Sequence, residues 1–235
     1  MALPFFYIDT IDPAISSVVL SEEASKHIVQ VLRMQNGEQL QLTDGKGNLF
    51  IAEIIDANKK KCIVRLISTS IQQSSNKKIT IAISLIKNSS RFEWFLEKAT
   101  EIGVAEIIPL ICQRTEKQHF RYDRMKAILI SAMLQSQQCW LPVLHEPIKY
   151  IDFVNGNASQ QKFIAHCEES NKQQLTNKLI NHSTDKLILI GPEGDFTKEE
   201  IELALQNNFT PVALGNTRLR TETAGIVAVT LFCLV

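Results

Sequence analysis

Lys186-Leu187-Ile188-Leu189-Ile190-Gly191-Pro192-Glu193-Gly194-Asp195-Phe196-Thr197-Lys198-Glu199-Glu200-Ile201 reads as an apolar strand, a glycine-proline loop and the opening turn of a helix. Thr197 and Glu200 form a T-x-x-E capping box, and Phe196 with Ile201 supplies the hydrophobic staple around it. A second apolar run, Val212-Ala213-Leu214-Gly215, enters a polar loop, Asn216-Thr217-Arg218-Leu219-Arg220-Thr221-Glu222-Thr223-Ala224. Two strands that each end in a glycine-containing loop place a ligand site at the carboxyl ends of a sheet.

The first loop is not a phosphate loop. No Gly-Lys-Ser/Thr follows its glycines, and the G-x-G-x-x-G spacing is absent. Glu193 and Asp195 put negative charge ahead of a helix start, which suits a neutral or cationic ligand bearing hydroxyls better than a polyphosphate. A plain tight turn is the alternative, with Pro192 fixing φ and Gly194 supplying a left-handed position.

Outward from this stretch, apolar runs at 79–86, 105–111, 162–167, 186–190 and 211–214 alternate with helical patterns, which predicts an α/β parallel sheet with crossover helices. Ser90 and Glu93 suggest a capping box for a helix that faces inward with Phe92, Phe95, Leu96, Ala99 and Ile102 and stops at Gly103. A helix near 121–138 turns Met125, Ile128, Leu129, Ala132 and Met133 inward. The last helix, from about Thr223, is apolar nearly all round and needs cover on several sides, from the core or from an oligomer interface.

Residues 1–69 follow a different pattern. Phe5–Ile8 reads as a strand, and Ser21 caps a short helix carrying Ile28, Val31 and Leu32. Leu40 and Leu42, then Phe50, Ala52 and Ile54, alternate on either side of Asp44-Gly45-Lys46-Gly47, the signature of a hairpin. With a further strand at 62–67, this is a small β-barrel. The polar stretch between Ser68 and Lys78 reads as an interdomain linker, placing domains at 1–69 and 79–235 with 70–78 between them.

Leu189-Ile190-Gly191-Pro192-Glu193-Gly194 with Leu214-Gly215 and Leu219-Arg220-Thr221-Glu222-Thr223-Ala224 closely resembles the RsmE family, small-subunit ribosomal RNA (uracil-N3) methyltransferases of the SPOUT superfamily. His27-Ile28, Val31-Leu32-Arg33 and Asp44–Gly47 are similar to that family's PUA-like RNA-binding domain. Lys87–Glu93 with Lys98, Thr100-Glu101 and Gly103-Val104 is similar to a further block, with two departures. Asn88-Ser89-Ser90 stands where glycine and aspartate are usual, and Gln135–Gln138 lacks the usual arginine.

The resemblance implies a SPOUT domain with a C-terminal trefoil knot, behind a PUA-like barrel. Threaded connections are otherwise nearly absent from folds. It also implies S-adenosylmethionine as cofactor, held by Leu189, Gly191, Pro192, Glu193, Gly194, Leu214, Gly215, Leu219, Thr221, Thr223 and Ala224. The implied reaction is methylation of uridine N3 in 16S ribosomal RNA, in the assembled small subunit. Arg220 is the candidate stabiliser of the uracil anion. Glu222 is either the proton acceptor or the ion-pair partner of Arg220, the second being the commoner arrangement for a loop Arg-x-Glu. His27, Arg33 and Arg91 are candidate RNA contacts. For Arg33 a solvated cation at a helix end is an equal reading, and Lys98, between Glu97 and Glu101, reads as a solvated face.

Equal numbers of acidic and basic residues, 25 each, leave the chain neutral, so any RNA contact depends on local charge. Residues 76–126 carry ten Lys/Arg against six Asp/Glu, a modestly basic middle. Five widely spaced cysteines without C-x-x-C argue against a disulfide framework or a metal site and for a reducing cytoplasm. The start has no signal-peptide pattern, and the longest apolar stretch is too short for a bilayer, so no membrane is expected. A homodimer is the usual SPOUT assembly. Competing readings are ribose 2′-hydroxyl methylation by another SPOUT enzyme, an inactive RNA-binding assembly factor, and a generic α/β nucleotide-binding enzyme.

Overall fold

Leu187, Ile188, Leu189 and Ile190 are buried on both sides of the strand they form, which requires a position inside a sheet covered on both faces. This is seen in a computed structural model that describes residues 3–11, 16–73, 77–168, 172–179 and 185–234. The chain divides into two units, Met1–Ser74 with Met133–Leu141, and Ser75–Ala132 with Pro142–Val235.

In the smaller unit, β1 (Phe5–Tyr7), β2 (Ser17–Val19), β3 (Gln39–Thr43), β4 (Asn48–Asp56) and β5 (Ile63–Ile71) form one sheet in the order β1-β3-β4-β5-β2. Leu42 pairs with Phe50 and Leu40 with Ala52 across the expected hairpin, so the alternating apolar residues share one buried face. Ser21 accepts a hydrogen bond from Ala24 N at the start of α1 (Glu22–Lys26), and the chain continues as a π-helical turn, His27–Val31. That turn changes what the sequence predicted. Ile28 is buried, but Val31 is 67% and Leu32 41% exposed, because the widened turn rotates them off the buried face. β5 runs to Ile71, into the stretch read as linker, and Ser74-Ser75-Asn76 of that stretch lie outside the described residues.

The segment after the second long helix belongs with this small unit. Gly47 N donates to Cys139 O, Leu141 N to Gly45 O and Trp140 Nε1 to Gln72 O. The Asp44–Gly47 turn is thus clasped by residues 139–141 through backbone contacts, a role the local pattern gave no sign of.

The larger unit comprises β6 (Lys78–Ser84), α2 (Ser89–Ile102), β7 (Glu106–Ile111), α3 (Tyr122–Gln135), β8 (Val143–Leu144), β9 (Ile148–Lys149) and α4 (Tyr150–Gly156). It continues with β10 (Gln161–Ala165), β11 (Gln173–Gln174), β12 (Asp185–Ile190), α5 (Lys198–Gln206), β13 (Thr210–Ala213) and α6 (Thr221–Leu234). The sheet order is β11-β13-β10-β12-β6-β7-β8 with β9 on β7, and its pairings are parallel. Each of the five apolar runs became a strand. The two-residue strands and α4 were missed, being too short for periodicity to show.

The cap of α2 corrects one expectation. Asn88, not Ser90, is the N-cap, accepting from Ser90 N at 3.0 Å, while Glu93 is taken by Arg124 through bonds of 2.6 and 2.8 Å. Asparagine caps as well as serine, and a bidentate guanidinium holds a carboxylate better than one backbone amide. Lys98, read as part of a solvated face, pairs with Glu97 and Glu101. α6 packs on α2, β6 and β12, burying Gly225, Ala228, Val229 and Phe232.

Candidate functional site

β12 and β13 end on the same edge of the sheet as β10, which lies between them, so their three loops converge. They enclose a cleft of about 660 Å³, within the usual size for a small-molecule site. Its floor is apolar, with Ile190, Val212, Leu214 and Ala224, and much of its wall is the 214–221 loop.

The first loop is fixed from several directions. α5 has the predicted capping box, with Glu200 N donating to Thr197 Oγ1 and Thr197 N to Glu200 Oε2. Phe196 and Ile201, the expected staple, lie in one core cluster. Asp195 N donates to Pro192 O, closing the turn, and Arg114 Nη1 reaches Gly194 O at 2.7 Å. The left-handed residue is Asp195, at φ 64°, and not Gly194. Aspartate tolerates that conformation, and its carboxylate here accepts from both Phe196 N and Cys167 N. Gly191 is required for a different reason: a Cβ there would sit 3.1–3.2 Å from Phe196 ring and backbone atoms.

The second loop leads into α6, and Thr221 Oγ1 donates to Gly191 O at 3.0 Å, tying the two loops together. Of the residues expected to hold a cofactor, Gly191, Pro192, Glu193, Leu214, Gly215, Leu219, Thr221 and Ala224 line the cleft. Leu189, Gly194 and Thr223 are not among its lining residues. Leu189 is wholly buried in the core, because neighbouring strand residues face opposite ways and Ile190 takes the cleft side. Gly194 instead faces Arg114. Glu193 lines the cleft while its Oε1 accepts from Lys87 N, so one of its oxygens is already engaged.

Arg220 is exposed and lines the cleft, and its carbonyl accepts from Ala224 N in the first turn of α6. Glu222 does not pair with it. The carboxylate is only 6% exposed and faces Arg91, whose Nε lies 3.7 Å from Glu222 Oε1. Glu222 is absent from the cleft lining and Arg91 is part of it. Arg91 is therefore brought to the cofactor loops, whereas His27 and Arg33 stand exposed in the smaller unit, Arg33 in a left-handed conformation at φ 56°.

Sequence reasoning missed the contribution of β10. Ala165, His166 and Cys167 line the cleft, along with Lys172, Asp195 and Arg218. The available signal was the apolar run at 162–167, whose carboxyl end had to meet those of its neighbours. Burial, reinforced by Lys172, holds the His166 imidazole below the usual histidine range, against the opposing pull of Asp195 and Glu168.

The cleft suits a small ligand with both apolar and charged parts. It offers an apolar floor, loop backbone at its edge, carboxylates at Glu193 and Asp195, and a cationic side made by Arg91, Lys172, Arg218 and Arg220. Among the described residues no His/Cys/Asp/Glu group is arranged to hold a metal, and no helix is long and apolar enough to cross a membrane.

Comparison with known proteins agrees with this geometry. The RNA methyltransferase domain family matches residues 73–233, and a PUA domain of RNA methyltransferases matches residues 20–67. A structure described as a "probable rRNA-methyltransferase" from Porphyromonas gingivalis is 40% identical and superposes with a TM-score of 0.90, over 97% of this chain and 95% of that one. The ribosomal RNA small subunit methyltransferase E of Neisseria gonorrhoeae, solved bound to S-adenosyl methionine, is 28% identical with a TM-score of 0.86 over 97% and 95%. The curated protein of that name from Rickettsia conorii is 29% identical across 91% of this chain and 88% of its own.

Proposed function

The chain belongs to the RNA methyltransferase family, and on that premise we propose that it transfers a methyl group from S-adenosylmethionine to N3 of a uridine in 16S ribosomal RNA within the small subunit. The observation that carries this reading is the cleft at the ends of β10, β12 and β13, where the Gly191–Gly194 and Leu219–Ala224 loops meet through the Thr221–Gly191 hydrogen bond. The bound cofactor supplies an electrophilic methyl group on a sulfonium.

Uracil N3 is a poor nucleophile until its proton leaves. Once the N3 proton had passed to solvent, N3 would take the methyl group supplied by the sulfonium, which would leave as a neutral thioether. Holding donor and acceptor in line contributes up to about 7–11 kcal/mol. Arg220, exposed in the cleft, stabilises the charge that develops on the uracil oxygens.

The smaller unit, Met1–Ser74 with Met133–Leu141, binds RNA. Supporting this are its match to a PUA domain and the exposed His27, Val31, Leu32 and Arg33 on one irregular turn. An exposed apolar pair beside two basic groups suits an unstacked base and its phosphate. Threading of the C-terminal segment into a trefoil knot is part of the same reading, supported by the match of residues 73–233 to the RNA methyltransferase domain. A homodimer is supported by α6, whose Ile226, Val227 and Leu231 stay partly exposed. A cytoplasmic location follows from the substrate.

The test is incubation of purified protein and labelled S-adenosylmethionine with small subunits lacking the modification, followed by nucleoside mass spectrometry. 3-Methyluridine is expected. A 2′-O-methylated nucleoside would move the specificity, and cofactor binding without transfer would favour an assembly factor.

A further inference from the structure

Arg91 and Glu222 lie in the first turns of α2 and α6, helices that pack closely because residue 225 is glycine; a Cβ there would fall 2.6 Å from Phe95 Cε2. The two side chains have opposite surroundings. Glu222 is 6% exposed and off the cleft wall, and its Oε2 has no hydrogen-bond partner among the described residues. Arg91 keeps 41% of its side chain exposed and lines the cleft. A buried carboxylate requires a cation, and Arg91 Nε, 3.7 Å from Oε1, is the one that faces it. The carboxylate that the sequence offered as a proton acceptor is therefore one side chain removed from the cleft, with a guanidinium in front of it.

We propose that Arg91 is a second guanidinium acting on the acceptor base, and that Glu222 is a positioning residue that holds Arg91 towards the cleft. This rests on the uridine N3 reading above. Loss of the N3 proton to solvent leaves negative charge shared by O2 and O4, on opposite sides of N3. One cation serves one of those oxygens well. Arg220 reaches the cleft from the start of α6 and Arg91 from the start of α2, so the two arise on different elements and together match an anion with two charged ends. Glu222 acts on the reaction only through Arg91.

The test is single-turnover methyl transfer to unmethylated small subunits across a pH range, with saturating enzyme and cofactor. The variants are Arg91→Ala, Arg91→Lys, Glu222→Gln and the Arg91→Ala/Glu222→Gln pair. Arg91→Ala should slow transfer by roughly 100-fold at neutral pH, as for loss of one charge-stabilising donor. The loss should shrink as pH rises, because hydroxide then does what the guanidinium made easier, while calorimetric cofactor affinity changes far less than the rate. Arg91→Lys should restore part of the rate. Glu222→Gln should reproduce part of the defect, and the double variant should be no slower than Arg91→Ala alone. The double variant also removes the unpaired buried charge, so the test stands if Arg91→Ala alone fails to fold. Weaker subunit binding with an unchanged single-turnover rate and pH profile would make Arg91 an RNA-backbone contact and overturn the inference. Multiplying losses would do the same, by making Glu222 an independent proton acceptor. If the wild-type protein forms no 3-methyluridine, the functional reading itself falls. If it does, and the variants behave as either contrary case, only this inference falls.

Discussion

The Thr221 hydroxyl donates to the Gly191 carbonyl across 3.0 Å, and the donor is 5% exposed. This one bond joins the loop after β12 to the first residue of α6, the two segments whose sequence marks the site. The first loop is also closed by Asp195 N on Pro192 O and held by Arg114 on Gly194 O, but neither bond reaches the second loop. The loops' relative placement, and with it the shape of the cleft, depends on such cross-links.

Removing that donor should therefore weaken the cofactor site more than the fold. Thr221→Val keeps the shape and leaves the Gly191 carbonyl without its partner, a cost of about 1–2 kcal/mol. Cofactor affinity measured by calorimetry should fall, while Thr221→Ser stays near wild type. Equal affinity for the valine and serine variants would show that the hydroxyl does not set the cleft.

The two glycines of the first loop should differ sharply in tolerance. A methyl group on Gly191 meets Phe196, which is 1% exposed and packed on Tyr150 with ring centroids 5.2 Å apart, so the neighbour has nowhere to go. Gly191→Ala should cost about 1–3 kcal/mol of overpacking and lose cofactor binding. At Gly194 the nearest atom is the Arg114 Cδ, 3.3 Å away on an exposed side chain that can give by a few tenths of an ångström without disturbing the core, so Gly194→Ala should bind and melt much closer to wild type. Denaturant melts and calorimetry on the pair decide it; similar losses in both would refute the steric argument.

What the sequence made readable was whatever depends on near neighbours in the chain. The strand at 187–190 is a continuous apolar run because it is covered on both faces, and the α5 box lies within four residues, 197–200. The pair Arg91–Glu222 was invisible for the opposite reason: its members belong to different helices and no local pattern links them. Glu222 instead suggested Arg220, its near neighbour, since adjacency in sequence is all that a loop reveals. The π-helical turn at His27–Val31 was hidden too, because the spacing of Ile28, Val31 and Leu32 fits an ordinary helix and only the widened turn exposes the last two. Asp195 took the left-handed position expected of Gly194 because its carboxylate finds two amide donors there.

His166 should make the protein acid-sensitive. Burial keeps its folded-state pKa below the usual value, while in the unfolded chain it titrates near about 6.5. Between those values the unfolded state binds more protons, so stability is retained above the unfolded pKa and falls as pH drops towards the folded one. In thermal melts from about pH 7.5 to pH 5.5, His166→Gln should lose less stability than wild type. Parallel losses in the two proteins would remove His166 as the cause.

Lys186 should be a burden on the fold that a neutral side chain relieves. It is wholly buried on β12, and its Nζ has no hydrogen-bond partner among the described residues. Burial, with the charge of Lys77, holds its pKa below the usual lysine range, against the pull of Cys233. An ammonium in that position costs free energy that its aliphatic stem does not. Lys186→Met keeps most of the stem and removes the charge, and should stabilise the protein by about 1–3 kcal/mol at neutral pH. The sign with pH follows from the lowered pKa. Between the folded and unfolded values the unfolded chain binds the extra proton, so wild-type stability rises as pH rises through that window. The methionine variant lacks this term, so its advantage should narrow in alkaline buffer. Urea melts at neutral and alkaline pH give both quantities. A variant no more stable than wild type, or one whose advantage is the same at both pH values, would mean that the lysine finds a partner in solution.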